Sequence, residues 1–315
     1  MDGGRFSAAL EKSMSQTSAN SARNRSVLII TVLALGLYLL VRALPTGTNL
    51  NHMDFRTEGK GALEFCDANN PQFIPVVQVR SPVVLGLKAA TAVAPDQPVV
   101  MTLTLQTASG KPIAPEDLVL AHTRKLHLLI VDPTLEDYQH LHPEPGKRPG
   151  EWVFTFTPQR AGIYRIFADF TPVATVRGLY GVVELTVPGS VARLARSPNL
   201  TYTVGEFEFS LAAAQNFRAR QPIDLRFRVN RRGGGSMQLQ PVMGAFAHLV
   251  AFDEGRSGFA HLHPAQADLK QALDLVTPEL TFKLTIPQPG RYVIWSQVMI
   301  AGREIFAPFW IDVLP

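Results

Sequence analysis

The chain is expected to be all-β, with two tandem immunoglobulin-like sandwiches after an N-terminal transmembrane helix, and three observations predict this. A spaced set of residues, His127, Asp132, Tyr138, His140, Leu141, His142 and Pro143, recurs as His248, Asp253, Phe259, His261, Leu262, His263 and Pro264, each 121 positions after its counterpart. Short apolar runs rich in β-branched residues are punctuated by 24 prolines and 23 glycines, which suits many short strands and turns. The 315 residues leave room for two units of ~100 residues and about seven strands each.

The expected order is a cytoplasmic leader (1–25), a transmembrane anchor (26–44), a tether (45–71), a first Ig-like domain (72–188), a linker (189–200) and a second Ig-like domain (201–315). Val27 to Val41 carries no charge, and Arg42 can snorkel so that the apolar stretch reaches the ~20 residues a span needs. Arg23 and Arg25 precede it and favour a cytoplasmic N-terminus. This predicts a single-pass protein of the cell inner membrane, with the bulk of the chain periplasmic or extracellular. A cleaved signal peptide is the competing reading, because Val41 and Ala43 have suitable spacing, but the leader is long for one. Cys66 follows Leu63, Glu64 and Phe65, a poor lipoprotein signal, and reads as a buried or unpaired thiol.

Residues 46–70 lack sustained periodicity and read as tether, with His52 and Met53 incidental. Unit one then offers strands at Val76 to Val79, Val99 to Leu105, Leu126 to Val131, Trp152 to Phe156, Ile163 to Phe170 and Val182 to Val187. Unit two repeats the order at Ile223 to Val229, His248 to Phe252, Leu280 to Ile286, Tyr292 to Met299 and Phe306 to Val313. Pro188 to Pro198 is the natural linker, with a turn of helix expected at Val191 to Arg196. Trp152, Tyr164, Phe167, Tyr292 and Trp295 are expected to pack in cores, and Glu116-Asp117 and Glu136-Asp137 to be solvated loop charges.

Composition excludes several function classes. Net charge is +4 with the basic residues scattered, so nucleic acid is not an expected partner. A single cysteine excludes an intrachain disulfide, a four-cysteine zinc site and a CxxC pair, and none near the histidines excludes a blue-copper centre within either repeat. The Gly233-Gly234-Gly235 run lacks a following Gly-Lys-Ser/Thr. No nucleophile elbow or HExxH helix is present, so no enzymatic activity is expected.

Six of the eight histidines occupy the repeated positions, and a seventh, His122, matches Met243 at the same offset. In an extended segment His140 and His142 face one way, as do His261 and His263. If the strand starting at His127 or His248 pairs alongside, three nitrogens converge, with His122 or Met243 as a fourth donor. The candidate metal ligands are therefore His122, His127, His140 and His142 in unit one and Met243, His248, His261 and His263 in unit two. An imidazole-rich, cysteine-free set suits copper or zinc. Asp132 and Asp253 are candidates to orient a ring. The competing reading is structural: an HxHP turn can pin a loop to the sandwich by hydrogen bonds alone.

The segments Met243-Gly244-Ala245 through Val250, Phe259 through Pro264 and Pro289-Gly290-Arg291-Tyr292 resemble exported bacterial Ig-like domains of the YtkA/FixH-like kind. The resemblance is clearest in unit two, visible in unit one from Leu126 to Tyr164, and absent before about residue 70. Unit one departs from the pattern in having His122 where unit two has Met243, and it lacks the Met-Gly-Ala segment. The resemblance implies a metal-linked role. The combined expectation is a membrane-anchored, non-catalytic envelope protein whose histidine clusters are candidates to bind copper or zinc, with an envelope protein as a candidate partner. The alternative is a metal-free interaction module.

Overall fold

A computed structural model describes residues 23–41, 50–56, 72–191 and 196–315. Expectations for residues 1–22, Arg42, Cys66 and residues 192–195 lie outside the described residues. Two compact units are present, Met1–Gly47 and Thr48–Pro315. In the first, helix α1, Arg23–Val41, is long and apolar enough to cross a membrane. Its 19 residues span roughly 28 Å at the helical rise, about the thickness of a bilayer's hydrocarbon core.

The second unit holds both sandwiches. The first consists of β1 (Val83–Ala89), β2 (Val99–Thr107), β3 (Leu126–Val131), β4 (Tyr138–Leu141), β5 (Glu144–Pro145), β6 (Glu151–Phe156), β7 (Gly162–Phe170) and β8 (Leu179–Val187). The second consists of β9 (Thr201–Val204), β10 (Phe207–Ala213), β11 (Pro222–Arg231), β12 (Leu239–Gln240), β13 (Ala247–Asp253), β14 (Phe259–Leu262), β15 (Glu279–Thr285), β16 (Gly290–Ile300) and β17 (Arg303–Val313). Strand order is β1-β2-β6-β5 against β4-β3-β7-β8 in one, and β9-β10-β11-β15 against β14-β13-β16-β17 in the other, with β12 also on β16. All these pairings are antiparallel, and the order of the main strands is the same in both domains. The expected all-β architecture of two tandem domains is present.

The outer sheets follow simple alternation. In β11, Ile223, Leu225, Phe227 and Val229 are buried while Asp224, Arg226 and Arg228 face solvent. Strands β3 and β13 behave differently, because nearly every residue is buried. Leu128 and Ile130 enter the first sandwich's core. Their neighbours Leu129 and Val131 point the other way, into a cluster with Tyr138, Phe167, Val250, Phe252, Phe259, Val293, Trp295 and Trp310. The sheets containing β3 and β13 therefore pack on each other, and both faces of each are covered, as their unbroken apolar runs require. Each such buried side chain contributes about 1.5–3 kcal/mol. Polar contacts add direction: Trp295 Nε1–H donates to the Leu135 carbonyl at 3.2 Å, and Arg165 Nη1 donates to the Gly255 and Arg256 carbonyls.

Several expectations are corrected. Val76 to Val79 is not a strand: Val76–Gln78 is a 3-10 turn. The segment before it lies along the second sandwich, with Phe73 N–H donating to the Thr285 carbonyl, Ile74 bridging to Phe259 and Phe73 in the second core. Part of the expected tether is packed, since Leu50 and Phe55 of the turn around His52–Phe55 join the first core and Asp54 pairs with Lys111. Isolated apolar residues in a polar stretch lack periodicity yet still find a core. The acidic pairs are not simple solvated charges either. Asp137 is buried and accepts from Tyr164 Oη–H at 2.6 Å, Asp117 accepts from Ala114 N–H, and Glu136 pairs with Arg160 and Arg196. Core packing holds for Trp152, Tyr164 and Tyr292, whereas Phe167 and Trp295 fill the contact between the domains.

Candidate metal centre

The alternation that sends Leu129 and Val131 into the contact between the sandwiches puts His127 on the same face. Register pairs Leu129 with His140 and Leu128 with Leu141, so His142 follows opposite His127. In the second domain Leu249 pairs with Leu262 and Val250 with His261, so His263 follows opposite His248. Each domain thus sets three imidazoles on one patch, and the packing of the two sheets brings both patches together.

One candidate ligand nitrogen from each of His127, His140 and His142 lies within 4.8 Å of the others, and the same holds for His248, His261 and His263. His127 Nδ1 is 3.2 Å from both His140 Nε2 and His142 Nε2, and His248 Nδ1 is 3.3 Å from His261 Nε2. Donors at about 2.0–2.1 Å from a common ion in near-tetrahedral geometry would be separated by roughly this much.

The outer nitrogens explain which atoms face inward. His127 Nε2 lies 3.1 Å from the Ala121 carbonyl and His248 Nε2 lies 2.9 Å from the Val242 carbonyl, contacts in which each nitrogen must donate. Both carbonyls belong to equivalent tight turns, Ala121 to Arg124 and Val242 to Ala245, in which His122, Thr123, Met243 and Gly244 all have positive φ. His140 Nδ1 donates to Gln297 Oε1 at 2.9 Å, and Gln297 passes its own N–H to Glu304. His261 Nδ1 donates to Asp169 Oδ2 at 3.2 Å. Four rings therefore spend their N–H on oxygen acceptors, leaving lone pairs directed into the two groups. His263 Nε2 is buried without a hydrogen-bond partner.

Burial keeps these rings neutral. Desolvation first, and neighbouring imidazoles second, hold His140 and His261 well below the ordinary histidine pKa. Desolvation lowers His142 to about 3 and His248 to about 4, and lowers His127 and His263 as well. Asp169 is shifted upward, again by burial. Neutral imidazole is the ligating form, so the donor chemistry and the spacing both fit copper or zinc.

The remaining expected ligands are placed differently. His122 is exposed in its turn, joins neither group, and stacks on His263 of the other domain with ring centroids 3.7 Å apart. Met243 occupies the matching turn, half-buried. Asp132 and Asp253 do not orient imidazoles: Asp132 accepts from the N–H groups of Thr134, Glu136 and Asp137, and Asp253 from those of Ser257 and Gly258. Their short carboxylates close the loop that follows the strand instead. The ring-orienting residues, Asp169 and Gln297, sit beside His127 and His248 on neighbouring strands. A polar residue at matching places in the two strands, seven residues after Gly162 and Gly290, is the sequence signal that marks them.

A family profile described as a domain of unknown function (DUF8832) matches residues 82–187 and again residues 202–314. No curated protein matches. Among solved structures, the chain is similar to trypsin-activated alpha-2-macroglobulin from Escherichia coli, at 13% identity over 74% of this chain and a TM-score of 0.24. It is also similar to a putative membrane-anchored protein from Corynebacterium diphtheriae, at 8% identity over 73% of this chain and a TM-score of 0.24. The chain spans 18% and 59% of the lengths of those two proteins.

Proposed function

The chain belongs to the DUF8832 family, whose domain it carries twice, and from the meeting of those two copies we propose a membrane-anchored, non-catalytic protein that takes up copper or zinc. One observation carries the reading: four buried rings donate their N–H to oxygens and leave lone pairs facing one another within each group. An ion satisfies such an arrangement, and apolar packing alone does not. The likeness of Met243 to Pro264 to YtkA/FixH-like exported domains supports the same reading. Helix α1 would hold the chain in the inner membrane with both sandwiches on the outer side, where captured ion could pass to an envelope partner.

The test uses the full chain in detergent, loaded with Cu(II) or Zn(II) and desalted. At least one ion should remain per chain, and the combined His142→Ala and His263→Ala variant should retain none. These two rings are the less buried members of their groups, so truncation there leaves the core in place. Failure to retain copper or zinc would leave a protein-interaction module as the better account. Protease accessibility in sealed spheroplasts tests the orientation, with cleavage of the sandwiches expected from outside.

A further inference from the structure

We propose that the two triads form one paired centre that accepts two monovalent copper ions but only one divalent ion tightly; this rests on the metal-binding reading above. The first observation is proximity across the domain contact. The His140 and His261 rings lie 5.2 Å apart between centroids, His127 and His261 5.8 Å, and His140 and His248 6.1 Å. These separations resemble those within a single triad, where His127 and His140 are 5.4 Å apart.

The second observation is that the supports are exchanged. His140 of the first domain is oriented by Gln297 of the second, and His261 of the second by Asp169 of the first. His122 of the first domain covers His263 of the second. Neither triad has its full set of orienting partners without the other sandwich. Ion binding at one triad therefore acts on the strands that aim the other.

The third observation is charge. Both ligand groups are imidazole only, and among the described residues Asp169 is the one carboxylate hydrogen-bonded to a member ring. Repulsion scales with the product of the charges, so a divalent pair repels four times as strongly as a monovalent pair at the same separation. The buried site limits screening by water or salt. Three neutral imidazoles satisfy monovalent copper, whereas zinc normally takes a fourth ligand. His122 stacks face-on upon His263, at 20° between planes, so it covers that ring instead of adding a fourth donor.

The experiment titrates the full chain in detergent anaerobically with Cu(I) against a colorimetric copper chelator, and separately with Zn(II) against a zinc indicator. Two Cu(I) per chain are expected, with affinities within about tenfold of each other. The second Zn(II) should bind at least 100-fold more weakly than the first. With His142→Ala, Cu(I) should fall from two to one while tight Zn(II) stays at one. Two equally tight Zn(II) ions, a His142→Ala variant that loses one of them, or a single Cu(I) in the unaltered chain would each overturn the paired centre. Absence of both metals would instead sink the metal-binding reading itself.

Discussion

His127 Nδ1 and His140 Nε2 face each other across 3.2 Å, yet the outer nitrogen of each ring is positioned to donate to an oxygen. With both rings neutral, no proton remains between them. His248 Nδ1 and His261 Nε2 repeat the relation at 3.3 Å. Facing lone pairs at that distance repel unless a cation lies between them, which ties ring orientation to the proposed metal uptake.

Gln297 should control a site in the other domain. Gln297→Ala removes the acceptor for His140 Nδ1–H, and loss of a ring-orienting partner typically lowers metal affinity about 10–100-fold. Gln297→Glu keeps an acceptor and should retain most of the affinity. Competition titration of both variants checks this; equal affinities for Gln297→Ala and the unaltered chain would show that His140 needs no support.

Metal-free protein should lose stability as pH falls from about 7 towards 4. The sign follows from the depressed histidines: the unfolded chain binds protons near pH 6.5, while folded His248 resists them down to about 4. Its stabilisation is complete above the unfolded value and lost on acidification through that window. The shift corresponds to about 3 kcal/mol for this solvent-excluded ring. Urea midpoints at pH 7.5, 6 and 5 should fall in that order, and a flat profile would contradict neutral buried imidazoles.

Leu129→Ala should couple packing to binding. The side chain is fully buried in the contact between the sandwiches, so truncation should cost about 2–5 kcal/mol. Because the contact also aligns the exchanged supports, metal affinity should drop in the still-folded variant. Denaturation and metal titration on one sample measure both.

Asp132→Ala separates loop closure from ring orientation. It removes acceptors for three backbone N–H groups and should cost about 1–3 kcal/mol. Metal affinity should be nearly unchanged, because Asp132 bonds no imidazole. A tenfold loss of affinity at unchanged fold would restore the role that its spacing from His127 suggested.

Much of the fold was legible because strand physics is local. Alternation in Ile223 to Val229 and the matched turns at Gly162 and Gly290 mark strands without reference to the rest of the chain. Strands β1 and β10 went unmarked although Phe207, Phe209 and Leu211 alternate with Glu208 and Ser210. Val76 to Val79 is not a strand because an apolar run does not specify conformation: only Val76 is buried, in the contact between the sandwiches, and Val77 is exposed.

The sequence by itself determined the duplication, the apolar N-terminal segment and the placing of His140 with His142, and of His261 with His263, on common faces. Each follows from periodicity along one strand or one helix. Tertiary structure decided that those faces meet, that His122 covers the opposite domain's His263, and that Gln297 and Asp169 aim rings across the contact. Side-chain period fixes which way a residue points from its own sheet. What waits on that side depends on packing between residues more than ninety positions apart, which no local pattern encodes.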